Sequence, residues 1–314
     1  MLAAILPNRG AGDGILRAMS GTARNTTLGF TLAGAGAILF ATKGVFSKAL
    51  WASGVDYLTL TALRALLALP MFAALALWRG MSLRAAPRRA VTQAALAGVL
   101  CYGFGALLDF HALELIDVSL ERALMFTYPA LIVAWYAIVK RVLPRPAMLV
   151  ALALTYAGVL LVVGAFDLAL WKQNLAGALL VLCCAATTAC YFLLGERSIP
   201  HLGSSGFTVV AMTAAAVMVV GAFLATHSLE VVARLDLRQW LLLLALAVLC
   251  MFLPTLCQAE GIRRLGAQRG SMASTIGPPA AMLLGAALLD ERPGAWQVVG
   301  TGLILGGIAV IARR

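Results

Sequence analysis

LERALMFTYPALIVAWYAIVKRVLPRPAMLVALALTYAGVLLVV, residues 120–163, returns in outline as GSMASTIGPPAAMLLGAALLDERPGAWQVVGTGLILGGIAVIA, residues 270–312. Pro129 answers Pro279 at an offset of 150 residues, while Pro144 answers Pro293 and Gly158 answers Gly307 at 149. A gap of one residue reconciles the three landmarks. Each copy is an apolar run, a short charged loop with proline, and a second apolar run. The runs are about 20 residues long, the length at which a helix spans a bilayer. A repeat of this period in an apolar chain predicts a membrane protein built from two related halves.

The rest of the chain agrees. It has 314 residues, of which 62% are hydrophobic and 12% charged, with a mean hydropathy of +0.95. A soluble domain carries roughly 25% charge. The six cysteines all fall inside apolar runs and none forms a CxxC pair, so a disulfide framework or zinc site is not expected. Phosphate-binding GxxxxGK[ST], dinucleotide GxGxxG, zinc-binding HExxH and nucleophile GxSxG patterns are missing. His111, His201 and His227 have no ligand spacing. The sequence therefore asks for no cofactor and no metal, and the chain is not expected to be an enzyme.

Residues 1–27 read as a cytoplasmic tail, because Met1–Leu6 is too short for a signal-peptide core. Apolar segments follow at 28–50, 57–78, 92–113, 119–139, 147–166, 175–195, 206–227, 239–259, 270–289 and 295–312. The expected fold is an all-α membrane protein of ten transmembrane helices. Residues 28–166 form one five-helix repeat and residues 175–312 the other. Counting Lys and Arg with the N-terminus inside places 16 on inner segments against five on outer ones. Both termini are then cytoplasmic, and the formal charge of +11 is a topology signal rather than a nucleic-acid footprint. Five helices is an odd number, so the second half enters the membrane upside down. The loops agree: Lys140-Arg141 in the first copy becomes Asp290-Glu291 in the second.

With these features on the page, the chain resembles the drug/metabolite transporter superfamily, specifically its ten-helix EamA-type members. FATKGVFSKAL (residues 40–50), LTALRALLALP (60–70) and LLDERPGAWQVVGTGLILGGIAVIA (288–312) carry the resemblance together with the paired halves. It implies a carrier in the bacterial inner membrane, often an exporter of amino acids or related metabolites. One departure is the acidic residue the family carries after its fourth helix, replaced here by Lys140-Arg141.

Charges at membrane depth are costly and mark protein- or water-facing positions. From the helical rise, Lys43 and Arg64 fall roughly 5 Å outward of their helix midpoints, and Asp109, Glu121 and Arg122 roughly 10 Å outward. They are expected to form either a polar vestibule for a substrate head group or a set of helix-locking salt bridges. Near the midplane fall Tyr102, Phe104, Phe126, Tyr128 and Pro129. Pro129 and Pro278-Pro279 break the helical ladder there and free carbonyls for a cavity. Gly103 and Gly105 permit close approach or local unwinding. Gly302-x-x-x-Gly306 reads as a packing or dimer face.

The candidate substrate-binding residues are Lys43, Arg64, Tyr102, Phe126, Tyr128, Pro129 and Pro279. Asp109 and Glu121 are the candidate proton carriers, since desolvation at that depth favours a neutral carboxyl. Asp109 is preferred, because Glu121 adjoins Arg122 whereas Asp109 has fewer basic neighbours along its own helix. The leading function is a secondary carrier using alternating access on a small-molecule substrate, in a lipid bilayer, with protons as a candidate coupling ion. Alternatives are a channel or facilitator for polar solutes, a multidrug exporter, or a membrane enzyme. Monomer and homodimer both fit, and nucleic acid is not an expected partner.

Overall fold

The computed structural model describes residues 26–81, 86–116, 121, 124–139, 141, 143–163, 175–277, 279–280, 283 and 294–312. The tail 1–25 and the expected positions of Arg122, Lys140, Pro278 and Asp290–Pro293 lie outside them.

Among the described residues the secondary structure is helical. In chain order the helices are α1 (Thr26–Ala52), α2 (Tyr57–Trp78), α3 (Arg88–Leu115), α4 (Tyr128–Ile138) and α5 (Pro146–Val163). They continue as α6 (175–202), α7 (204–226), α8 (237–265), α9 (267–276) and α10 (Ala295–Ala312). Among the described residues five continuous helical stretches are long and apolar enough to cross a bilayer: α1, α2, α3, the α6–α7 run and the α8–α9 run. The last two are each a pair of helices joined at one glycine, Gly203 (φ 70°) and Gly266 (φ 76°). Only glycine takes such a φ without steric cost, so each kinks the chain at a single residue. The sequence reading ended α6 at residue 195, but α6 runs on past Glu196 and Arg197, because polar residues at a membrane rim do not stop a helix.

Start signals are physical too. Asp56 caps α2 by accepting hydrogen bonds from the Leu58 and Thr59 backbone N–H groups, each at 2.9 Å. Asp236 caps α8 through a reciprocal capping box with Gln239. Burial pushes the Asp56 carboxyl up, but hydrogen bonds from Thr59 and Leu58 and the neighbouring His227 hold it below the usual carboxylate value.

Alanine dominates the buried faces of the helices, including Ala33, Ala94, Ala97, Ala211, Ala215 and Ala216. Large apolar side chains such as Leu77, Trp78, Val217 and Trp296 face outward. That inversion of a soluble core suits helices packing through small residues in lipid.

The repeat is visible in the backbone. A wide π turn occupies Val99–Gly105 in α3, and another occupies Val248–Phe252 in α8, 149 residues later. The first surrounds Gly103 and Gly105, as expected. The second precedes Pro254, whose missing N–H cannot close an α-helical bond. The expected helix over 119–139 is broken by a turn at Phe126–Thr127, just before Pro129. Its counterpart tightens to a 3₁₀ turn at Ser274–Ile276, just before Pro278-Pro279.

Gly158 and Gly307, the equivalent glycines of the repeat, sit where α5 and α10 run against each other. A Cβ on Gly158 would lie 2.5 Å from the Gly300 carbonyl oxygen, and one on Gly307 would lie 2.4 Å from Thr155 Oγ1. At Gly302 and Gly306 a Cβ would meet nothing within 4 Å among the described residues.

Candidate functional site

The helix breaks and the buried charges converge. A cavity of about 140 Å³ lies among α1, α2, α3, the segment entering α4, α6, α8 and the end of α9. Lys43, Arg64, Tyr102, Asp109, Glu121, Phe126 and Tyr128 all line it. Pro129 and Pro279 are buried but stand outside its lining. The Phe126 carbonyl, expected to be free for the cavity, accepts a 2.8 Å hydrogen bond from the Tyr156 hydroxyl of α5. That hydroxyl also receives the Ala130 N–H at 3.3 Å. The proline break is thus repaired by protein, and its effect is to place Phe126 and Tyr128 at the wall. Phe104 faces outward and is 46% exposed, so it belongs to the lipid side rather than the midplane cluster.

The polar side of the cavity is ionic. Lys43 Nζ donates to Asp109 Oδ2 in a buried ion pair joining α1 to α3. Asp109 therefore has a basic partner after all, supplied by another helix. Glu121 is wholly buried. Arg64 comes from α2, and its guanidinium carbon lies 4.9 Å from the Phe110 ring centroid, with Lys43 Nζ at 5.0 Å from the same ring. Each cation over the ring gains quadrupole attraction where water is excluded.

The opposite side is aromatic and neutral. Tyr102 stacks on Phe40 at 6.2 Å and meets Tyr191 edge-on at 5.2 Å. Tyr128 stacks on Phe192 at 5.5 Å and donates to the Ser271 carbonyl at 3.3 Å. Tyr102 donates to Gln258 Oε1 at 3.1 Å, bridging α3 to α8.

Sequence reasoning missed Gln258, Thr188, Cys101, Cys184 and Ser274 at the wall. A signal for Gln258 was present, since it follows Asp109 by 149 residues, the repeat offset. By the offset of 150, Ser271 likewise stands where the first half has Glu121. The second half thus carries neutral polar groups where the first carries acids. Among the described residues no three His, Cys, Asp or Glu side chains gather as metal ligands would.

Two sets of polar ties flank the cavity. On one side Gln239 Nε2 donates to the Ser53 carbonyl at 3.0 Å, and His227 Nε2 lies 3.6 Å from Asp56 Oδ1. On the other, Glu260 of α8 accepts from Ser204 of α7 at 2.7 Å and from Arg264 Nε at 2.8 Å. There too Tyr136 of α4 donates to Glu196 of α6.

Comparison with known proteins fits this geometry. The EamA-like transporter family matches the chain twice, over residues 27–164 and 175–313, which supports a two-repeat architecture. An uncharacterized transporter of Bacillus subtilis (strain 168), YcbK, is 29% identical over 271 residues, covering 85% of this chain and 87% of that protein. A solved crystal structure superposes with a TM-score of 0.75 at 21% identity, covering 93% of this chain and 98% of its own, a likeness of fold. By its doubled match the chain belongs to the EamA-like transporter family, membrane transporters of small solutes.

Proposed function

We propose that the chain is a secondary-active carrier of the bacterial inner membrane, exporting small amphipathic metabolites, amino acids among them, by alternating access. In this reading the chain crosses the bilayer ten times, with the halves inverted and both termini cytoplasmic. The observation that carries it is a cavity walled by both halves, ionic on the side of α1–α3 and aromatic below. Such a wall suits a solute with a polar head and an apolar body. The cavity is complete within one chain, so the reading requires no second copy.

Protons are the coupling ion in this reading. A proton taken by Asp109 would weaken its attraction to Lys43 and free α1 from α3 in one half of the cycle. The test is transport of L-leucine and L-phenylalanine by purified protein in liposomes. Saturable counterflow is expected, and Asp109→Asn should abolish transport driven by a pH gradient while sparing counterflow. Unsaturable flux would contradict a carrier, and full gradient-driven transport by Asp109→Asn would contradict the proton role.

A further inference from the structure

Of the two cations in the cavity wall, only Lys43 has a carboxylate at ion-pair distance among the described residues. Lys43 is paired with Asp109. Arg64 is 4% exposed, its side chain lines the cavity, and its Nε–H is buried with no hydrogen-bond partner among the described residues. Guanidinium stays protonated even in apolar surroundings, so it cannot escape this cost by shedding its proton as a buried lysine can. Phe110 covers one face of the plane at 4.9 Å. An aromatic face attracts the charge but accepts no in-plane N–H bond. Asp109, Cys250 and Tyr102 lie within electrostatic reach of Arg64, and one Asp109 oxygen is committed to Lys43.

We propose that Arg64 is the anchor for an anionic group of the substrate, a carboxylate borne on an apolar body. Resting on the carrier reading above, this names the head group that the site takes. A carboxylate is planar and offers two acceptor oxygens to the two parallel N–H bonds of a guanidinium edge. It leaves the Phe110 stacking undisturbed, because that contact uses the face. A single negative charge suits a guanidinium that, among the described residues, has no carboxylate at ion-pair distance, although Glu121 lines the same wall. A phosphate dianion would call for a second cation, and Lys43 is already neutralised by Asp109. The apolar body then lies against Phe40, Tyr102 and Phe126, which line the same cavity.

The test uses the purified full chain and four probes sharing a phenyl body: L-phenylalanine, 3-phenylpropionate, phenethylamine and L-phenylalaninamide. The two carboxylates should raise the melting temperature with saturable dependence, and the amine and the amide should not. Arg64→Gln should weaken carboxylate binding by about 10- to 100-fold, and Arg64→Lys should restore part of it. The wild-type comparison among probes needs no variant, so it stands even if Arg64→Gln fails to fold. Equal binding of amine and acid, no binding of either acid, or wild-type affinity in a folded Arg64→Gln protein would each overturn the anchor. Saturable counterflow of phenethylamine alone would overturn the anchor while sparing the carrier. Binding of the acids without any counterflow would keep the anchor and overturn the carrier.

Discussion

Lys43 and Asp109 are separated by 66 positions in the chain and meet inside the protein. An argument from neighbours on the same helix missed this, because an ion pair between helices leaves no mark on either one alone. What the sequence did carry was depth. Each residue's position along its apolar run gave it a depth, from the midplane for the aromatics to roughly 10 Å outward for the two acids, and the seven side chains that share the cavity were chosen from that band. Pro129 and Pro279 stand outside the cavity lining, and beside Pro129 the Phe126 carbonyl is taken by the Tyr156 hydroxyl. At this scale the ion pair makes a sharp prediction. Lys43→Met leaves the Asp109 carboxylate buried without its ammonium, which should lower stability by about 3 kcal/mol. Lys43→Met with Asp109→Asn removes both charges and should recover most of that loss in thermal unfolding. A double variant no more stable than the single one would show that the pair is not what the lysine serves.

At the scale of elements, the repeat was legible through its prolines and glycines, and one of the two π turns was not. Val99–Gly105 was signalled by its glycines, but Val248–Phe252 carries none and is betrayed only by Pro254 downstream. The Gly302–Gly306 stripe is a recognisable pattern at which, among the described residues, a Cβ would meet nothing within 4 Å. The spacing of small residues says that helices can approach; it does not say which face meets a partner. The α5–α10 contact tests this directly. Gly307→Leu would drive a side chain into Thr155 and the Ala151 carbonyl, and overpacking of this kind costs about 1–3 kcal/mol. Gly302→Leu, which enters open space, should leave the melting temperature of the purified monomer within a degree or two of wild type, roughly the spread of neutral surface changes. Equal loss in both variants would contradict the close contact.

For the molecule as a whole, the cavity sits where the two related halves meet, with polar ties between elements on either side of it. Ser53 and Gln239 join the halves at the end where α2 and α8 begin. Glu260 with Ser204 and Tyr136 with Glu196 hold the opposite end. A carrier working by alternating access must release one set while keeping the other, and a channel need release neither. Met125 lines the cavity and can report on both routes. The most direct measurement places cysteine at Met125 in a cysteine-free background and labels it with a membrane-impermeant thiol reagent applied from each side. It is then repeated after Ser53→Cys and Gln239→Cys have been joined by a short cross-linker. The free protein should label from both sides, and the locked protein only from the end opposite the cross-link. Labelling that persists from both sides in the locked protein, or that never occurs from one side in the free protein, would contradict alternating access through this cavity.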